Sequence, residues 1–194
     1  MNSLKNVFIQ IALFILRFLP PELASQISLK SIKYLDSFNI KLQKKGNLSY
    51  AKNIEIMDLT FDHYLGLSAG IDKEGKFFDS LNSLGFSFIE VGTFTPLPQK
   101  GNKYPRIKRL PNQSLINSLG FNNPGILEGI KNVRKSKHNF SGVLGISIGK
   151  NKSTSLDEAY KDYNFCLEHC YQEADYIAIN ISSPNTLDLR KLSS

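Results

Sequence analysis

Four short apolar segments, each ending in small polar residues and each separated from the next by a longer stretch, restrict the fold of this chain more than any other feature. They cover residues 65–69, 88–91, 143–148 and 176–181. The last segment is rich in isoleucine and shows no polar–apolar alternation, which is typical of a strand covered on both faces. Strands that alternate with helices predict an α/β fold built as a right-handed parallel βα array.

The stretches between these strands predict helices. One helix is expected over residues 74–84. Asn123 followed by Pro124 predicts a cap and a first turn for the next helix. Ser155 and Glu158 have the spacing of a capping box, which predicts that a third helix begins there.

Two smaller features complete the local reading of the chain. A short hairpin is predicted from residues 54–56 and 59–61. Cys166 and Cys170 fall within the third helix and are predicted to be free thiols, because they do not form a Cys-x-x-Cys pair. The three histidines show no metal-ligand spacing either, so no metal is expected.

The amino-terminal region predicts two apolar helices. Residues 7–19 form the first, whose length of about 20 Å is shorter than the ~30 Å hydrocarbon core of a bilayer. Pro21 is well placed to open the second helix. So much apolar surface on a basic background favours a helix pair lying in a membrane interface. The alternative is a helical hairpin packed onto its own domain.

The basic balance of the chain does not by itself identify a partner. Lys and Arg outnumber Asp and Glu by 24 to 17, which gives a formal net charge of +7. The basic residues are scattered, and no nucleic-acid-binding motif is present, so nucleic acid is not expected as a partner.

The pattern predicts three parts: an amino-terminal helical extension over residues 1–40, a linker and hairpin over 41–64, and the first half of a β/α barrel over 65–194. An eight-stranded barrel typically takes ~250 residues. Four units therefore predict the amino-terminal portion of a longer chain. A doubly wound four-stranded sheet is the alternative, although no Gly-x-Gly-x-x-Gly motif opens the first helix.

In a barrel of this kind, the carboxyl ends of the strands carry the chemistry. Residues 69–73 offer backbone that a flat ring can approach closely, together with the cation of Lys73, and Gly92 and Thr93 offer close backbone and a hydroxyl. Three asparagines can both donate and accept hydrogen bonds, which suits a ring with amide and carbonyl edges: Asn117, Asn180 and Asn185. Singly, each is an ordinary turn or strand-end residue. Their recurrence at successive strand ends favours a binding site.

Together these segments resemble the class 2, quinone-dependent dihydroorotate dehydrogenases over nearly the whole chain. The matching segments are residues 66–73, 90–96, 105–106, 116–123, 145–152 and 179–186. The resemblance implies an FMN enzyme on a TIM (β/α)8 barrel, of which about the first four βα units are present. It also implies oxidation of dihydroorotate to orotate in pyrimidine biosynthesis, with a membrane quinone as the final acceptor.

The resemblance also implies residue roles. Ser183 is the expected general base, and Lys73 the cation between flavin and substrate. The expected flavin contacts are Ala69, Gly70, Ile71, Asp72, Lys73, Thr93, Ser147 and Asn180. The expected substrate contacts are Lys73, Asn117, Ser118, Leu119, Gly120, Phe121, Asn180 and Asn185. Residues 1–40 are expected to bind the membrane surface and admit quinone, which implies a peripheral protein on the cytoplasmic face of a bacterial inner membrane.

The sequence departs from the family pattern at several positions. Ser147 stands where the family usually has Asn, and Asp188 stands where Gly is common. The strand-end Lys and Gly-rich phosphate loops of the family's second half are not among the 194 residues, so this chain alone is expected to be incomplete for catalysis. Two alternatives stay open. One is another flavin or phosphate-ligand barrel, and the other is an inactive truncated or split fragment that retains only membrane association.

Overall fold

Four parallel strands form the centre of the protein, in the order β3-β4-β7-β8. They are β3 (Gly66–Leu67), β4 (Phe88–Phe94), β7 (Val143–Ile148) and β8 (Tyr176–Ile179). The computed structural model describes residues 2–38, 40, 53–184 and 189–193. The predicted linker over residues 41–52 and the residues Asn185 and Asp188 lie outside that part of the chain. Each strand pairs with its neighbour in chain order, so the predicted parallel α/β sheet is confirmed.

Helices on the outside of the sheet complete the core. They are α3 (Phe78–Leu81), α4 (Ile126–Ser136) and α5 (Ala159–Cys170), with short 3-10 turns over Asn82–Leu84 and Lys137–Asn139. Every residue of β7 is buried, as expected for a strand covered on both faces. Ile89, Val133 and Ile146 are among the buried residues that join the sheet to these helices.

The two cysteines belong to this core and not to a reactive site. Cys166 and Cys170 are fully buried on α5 and form no disulfide, which confirms the prediction of free thiols. Burial raises the pKa of both thiols, that of Cys170 to about 11. Both therefore stay neutral at physiological pH and act as small apolar side chains.

The helix predicted over residues 74–84 is much shorter than expected. The chain from 72 to 77 is irregular, and α3 begins only at Phe78. Gly75 adopts a φ of +66°, and a side chain there would lie 2.9 Å from Val133. The carboxylate of Asp72 accepts backbone N–H groups across this segment, which holds it as a loop and replaces the first helical turns.

The prediction that a helix begins at the capping box of Ser155 and Glu158 is also wrong, because α5 begins only at Ala159. The preceding segment is held as a turn by contacts from outside it. Lys150 Nζ donates to the Thr154 carbonyl at 2.7 Å, and the Asn151 N–H donates to Asp162 Oδ2 at 2.7 Å. These bonds bind the backbone in a non-helical conformation, so the pattern in the sequence does not mark the helix start.

The cap predicted at Asn123 is confirmed in part. Helix α4 begins at Ile126 after Gly125, two residues later than the predicted first turn. Asn123 Oδ1 nevertheless accepts the Gly125 N–H at 2.8 Å and the Thr95 N–H at 3.2 Å. The side chain thus joins the end of β4 to the start of α4.

Two hairpins lie outside the parallel sheet. The predicted one is confirmed as β1 (Ile54–Ile56) and β2 (Leu59–Phe61), connected through Met57 and Asp58, both with positive φ. The second, β5 (Ile107–Leu110) with β6 (Ser114–Asn117), was not predicted from the sequence. It projects from the loop between β4 and α4 and ends next to the carboxyl edge of the sheet.

The amino-terminal region forms the two predicted helices, α1 (Asn2–Leu16) and α2 (Pro21–Ser37). Helix α2 packs on the domain: Ala24 is buried, and Leu29 and Ile32 contact the core. Helix α1 instead leaves its apolar residues exposed, with Phe8 65% and Phe14 60% accessible. Among the described helices, none has both the length and the hydropathy that crossing a bilayer requires.

Candidate functional site

The carboxyl ends of three parallel strands and the end of β6 meet at one cleft of about 220 Å³. Most of the predicted site residues line it. The lining residues are Ala69, Gly70, Lys73, Gly92, Thr93, Asn117, Leu119, Gly120, Phe121, Asn122, Asn180, Ser182, Ser183 and Pro184. Segments far apart in the sequence therefore converge, because parallel strands end at the same edge of their sheet.

Thr93 connects three strand ends at the floor of this cleft. Its hydroxyl lies 2.9 Å from the Ser147 hydroxyl and accepts the Asn180 amide N–H at 3.1 Å. Ser147 is 1% exposed and does not line the cleft. Its hydroxyl instead forms a hydrogen bond with the Thr93 hydroxyl. Ser147 thus holds the Thr93 side chain in place from the side away from the cleft.

Two glycines give the cleft a flat backbone wall. Gly70 has a φ of +102°, and a Cβ built there meets nothing within 4 Å, so space is open beside it. Gly92 has a φ of +100°, and a Cβ there would lie 2.6 Å from the Ser147 carbonyl oxygen. The Gly70 N–H donates to the Gly92 carbonyl at 2.9 Å, which holds the two strand ends together.

Lys73 stands between this cleft and a second cavity, because it lines both. Its ammonium donates to the Gly70 carbonyl. Burial lowers the pKa of Lys73, and the Glu22 carboxylate is the main charge that opposes this shift. A cation held at this position can stabilise negative charge that develops on either side of it.

Two predicted flavin contacts, Ile71 and Asp72, lie outside the first cleft. Ile71 is 44% exposed and lines the second cavity. Asp72 is 1% exposed and accepts the N–H groups of Phe77 at 2.7 Å and Phe78 at 2.9 Å, with longer bonds from Glu74 and Lys76. Burial raises the pKa of Asp72, and these four donors oppose that rise. Asp72 therefore shapes the loop that presents Gly70 and Lys73.

The loop after β6 forms the wall opposite the sheet. Four of the residues predicted to contact substrate line the cleft: Asn117, Leu119, Gly120 and Phe121. Ser118 does not line it; its N–H donates to the Arg106 carbonyl at 2.8 Å, and its carbonyl accepts from Asn102. The backbone of Ser118 therefore anchors the loop.

Ser183 follows β8 and lines the rim of the cleft, half-buried. The segment before it is fixed at Asn180, whose N–H donates to the Ile148 carbonyl at 2.9 Å and whose carbonyl accepts the Tyr163 hydroxyl at 3.2 Å. Asn185, the remaining predicted substrate contact, lies outside the described residues. The chain thus brings Ser183 to the same opening as Lys73 and Asn117.

A second cavity of about 630 Å³ lies between α2, β5 and the loop after β3. At its wall, Arg106 and Glu22 form an ion pair, in which Arg106 Nη2 lies 2.5 Å from Glu22 Oε1. The two side chains are only 3% and 16% exposed. Lys73, Leu119 and Asn122 line both this cavity and the first cleft, so a thin wall separates the two. Arg106 lies in one of the family-like segments but no role was predicted for it, and Glu22 was not predicted as part of the site.

The described part of the chain contains no candidate metal-binding site. Residues 2–38, 40, 53–184 and 189–193 contain no group of three or more His, Cys, Asp or Glu side chains placed to hold an ion.

Comparisons with known proteins identify the family of this chain. A family model for dihydroorotate dehydrogenase matches residues 52–194. The chain is 53% identical over 164 residues to the dihydroorotate dehydrogenase (quinone) of Buchnera aphidicola subsp. Schizaphis graminum, covering 83% of this chain and 48% of that protein. The chain is 46% identical over 175 residues to the protein of the same name from Yersinia enterocolitica serotype O:8, and the match covers 90% of this chain and 51% of that protein.

Solved structures show the same relationship. DHODH from Eimeria tenella in complex with ferulenol matches with a TM-score of 0.79 and 35% sequence identity, covering 90% of this chain and 47% of that chain. The parallel α/β sheet fits a TIM-barrel family. The chain spans about half the length of the curated relatives it matches. Because the family match extends over residues 52–194, the chain belongs to the dihydroorotate dehydrogenase family, as its motifs predicted.

Proposed function

We propose that this chain supplies the first half of the active site of a quinone-dependent dihydroorotate dehydrogenase, which oxidises dihydroorotate to orotate in pyrimidine (UMP) biosynthesis. The observation that carries the proposal is the convergence of ten predicted site residues on a single cleft of about 220 Å³. The curated relatives, named dihydroorotate dehydrogenase (quinone), support both the activity and the acceptor.

The four parallel strands correspond to half of an eight-stranded TIM barrel, with β3 and β8 as the outer strands of the half. Below, "complete enzyme" means residues 1–194 joined to the second half of such a barrel. Within this chain, the proposed division is an extension over residues 1–40, a linker and hairpin over 41–64, and the barrel half over 65–194.

The residues present fit FMN as the cofactor. Open space beside Gly70, together with its flat backbone, would accept the face of a planar ring. Thr93 and Asn180 offer hydrogen-bonding groups at the floor, and Ser147 fixes Thr93. When bound, FMN would supply the two-electron redox chemistry that links dihydroorotate to quinone.

The substrate would lie over the flavin, gripped from the loop after β6 and from β8. Asn117 and Asn180 can each donate to a carbonyl and accept from a ring N–H. Lys73 would neutralise the negative charge of the substrate and of the reduced cofactor. Ser183 would remove the C5 proton while hydride leaves C6, which requires neighbours or a water chain to take up the serine proton.

The cavity of about 630 Å³ would admit the quinone, because it lies against α2 and is separated from the first cleft only by a thin wall. The exposed apolar residues of α1, among them Phe8 and Phe14, would rest on the membrane surface and insert between lipids together with Phe18 in the turn after the helix. We place the protein on the cytoplasmic face of a bacterial inner membrane as a peripheral protein.

The complete enzyme should convert dihydroorotate to orotate only when an electron acceptor such as a short-chain ubiquinone is supplied. Orotate formation is followed by its ultraviolet absorbance, and quinone reduction is followed in parallel. One quinone reduced per orotate formed is the expected ratio. Reduction of the flavin by NADH but not by dihydroorotate would instead favour another flavin barrel.

Membrane association through the helical extension is tested by liposome flotation of the complete enzyme, with and without residues 1–40. The intact protein should float with the vesicles, and the shortened protein should stay at the bottom of the gradient, since α1 holds the exposed apolar face. Phe14→Ser is the matched point variant and should weaken flotation without changing the fold. Equal flotation of intact and shortened protein would contradict the proposed role of the extension. Flotation without turnover would favour the non-catalytic membrane-binding fragment.

A further inference from the structure

The side-chain amide of Gln99 connects two loops that stand apart in the sequence. Gln99 lies in the loop between β4 and β5 and lines the cavity of about 630 Å³. Its Nε2 donates to the Gly120 carbonyl at 3.0 Å and to the Phe121 carbonyl at 3.4 Å. Its Oε1 accepts from the Lys152 N–H at 2.8 Å and from Asn151 Nδ2 at 3.4 Å. Both ends of this one amide are therefore hydrogen-bonded.

The backbone of Gln99 binds the end of the same cleft loop. Its N–H donates to the Asn123 carbonyl at 2.9 Å, and its carbonyl accepts the Asn123 N–H at 3.0 Å. The side chain reaches further back along the loop, to Gly120 and Phe121, which line the substrate cleft. Gln99 itself lines the larger cavity and not the cleft, so it holds the cleft wall from behind.

This wall needs support from outside because of its backbone conformation. Gly120 has a φ of +70° and Phe121 a φ of +50°, so two successive residues are left-handed. That conformation is unfavourable for a residue with a side chain such as Phe121. Neither residue belongs to a helix or a strand, so their carbonyls must find partners outside regular secondary structure. The amino group of Gln99 is a partner for both carbonyls.

The loop after β7 holds the other end of the Gln99 amide. Asn151 is 5% exposed, and its side chain forms two bonds of 3.0 Å with the backbone of Leu97. Its own N–H donates to Asp162 Oδ2 on α5 at 2.7 Å. Because the Lys152 N–H can only donate, it requires the oxygen of the Gln99 amide on this side. The amino group must then face the cleft loop.

We propose that Gln99 is a positioning residue for the substrate, which holds residues 119–121 in the shape that contacts dihydroorotate by donating to the Gly120 and Phe121 carbonyls. Gln99 would act through the loop, because it does not line the cleft. This inference rests on the proposed function, which assigns that loop to the substrate. A loop that is competent to bind only a tenth of the time would bind about tenfold more weakly than one held in place.

The test compares Gln99→Glu and Gln99→Met with Gln113→Glu in the complete enzyme. A carboxylate at position 99 keeps an acceptor for the Lys152 N–H but has no N–H group for the two loop carbonyls. Gln99→Met removes the donor and the acceptor without adding a charge. Gln113 is exposed at the turn between β5 and β6 and lines neither cavity, so Gln113→Glu is the matched control.

The first readout is stopped-flow reduction of the bound flavin at increasing dihydroorotate concentration, with no electron acceptor present. Both Gln99 variants should raise the Kd for dihydroorotate about tenfold, while the limiting rate of flavin reduction stays within about twofold. The limiting rate is kept because the substituted loop still reaches the competent shape once substrate is bound. Gln113→Glu should match the unsubstituted enzyme in both values.

The second readout is amide hydrogen exchange at Asn123, which does not require turnover. This N–H bonds to the backbone carbonyl of Gln99, which every variant keeps, so faster exchange there reports a looser loop. Both Gln99 variants should exchange about fivefold faster at Asn123 than the unsubstituted protein and Gln113→Glu.

An unchanged Kd for dihydroorotate would overturn the proposal, as would unchanged exchange at Asn123. A loss confined to reoxidation of the flavin by quinone would also overturn it, since Gln99 would then act at the larger cavity and not on the cleft loop. If the unsubstituted enzyme fails to reduce its flavin with dihydroorotate, the proposed function fails, and exchange at Asn123 still decides whether Gln99 fixes the loop.

Discussion

Replacing Ser183 by alanine should lower kcat for dihydroorotate oxidation by about 10²- to 10⁴-fold, the range expected when a positioned general base is removed. Ser183 stands at the rim of the cleft that also holds Lys73 and Asn117. The hydroxyl would take the proton from C5, so its loss acts on the chemical step. Flavin affinity should stay the same, because the proposed flavin floor consists of other residues, the hydrogen-bonded group Thr93, Ser147 and Asn180.

The measurement is stopped-flow reduction of the bound flavin by dihydroorotate in the complete enzyme, read at the flavin absorbance. Ser182→Ala is the matched control, since this neighbouring serine also lines the cleft but is not the proposed base. A Ser183→Cys variant should keep part of the rate, because a thiol loses its proton more readily than a hydroxyl does. Rapid flavin reduction in Ser183→Ala would show that the proton leaves C5 by another route.

The sheet could be predicted because its signal is local. A largely apolar run such as Val143–Ile148, in which Ser147 is the one polar side chain, favours a strand covered on both faces, and β7 is buried throughout. The predicted end of β4 at Val91 was too early. The strand continues through Gly92 and Thr93 to Phe94, since the Thr93 hydroxyl bonds to Ser147 on β7 and to Asn180 after β8 and can therefore be buried.

The loops could not be predicted in the same way, because contacts distant in the sequence decide them. The helix predicted over residues 74–84 fails where the Asp72 carboxylate captures the backbone N–H groups of the segment. The start of α5 is displaced by Lys150 and Asp162. In both places a side chain offers the backbone another hydrogen-bonding partner, which competes with the helix.

The candidate site was largely predictable, since its residues follow strands and strand ends converge. The charged residues that surround the site could not be predicted. Glu22 and Arg106 are 84 residues apart, and only the fold brings their charges together beside Lys73. The inward position of the Asp72 side chain was not predicted, for a related reason. Its neighbours Gly70 and Lys73 reach the cleft, while its own side chain turns inward to bind the loop.

Replacing Asp72 by alanine should lower the free energy of unfolding of the complete enzyme by about 3–4 kcal/mol, because it leaves several backbone N–H groups without an acceptor. The shortest bonds lost are those from Phe77 at 2.7 Å and Phe78 at 2.9 Å, and the latter N–H is buried. Asp72→Asn should cost less, since one side-chain oxygen can still accept. Urea unfolding followed by circular dichroism measures the difference.

The same substitution should weaken FMN binding, although the Asp72 carboxylate lies outside the cleft. It fixes residues 72–78, and the Asp72 carbonyl accepts the Gly92 N–H at 2.9 Å, so the loop and the end of β4 move together. Loss of the carboxylate should loosen Gly70 and Lys73, and with them the flat wall of the cleft. Asp62→Ala, at an exposed position after β2, is the control and should change neither stability nor FMN affinity by a measurable amount. If Asp72→Ala retained full stability with weaker FMN binding, Asp72 would contact the cofactor directly, as the sequence first suggested.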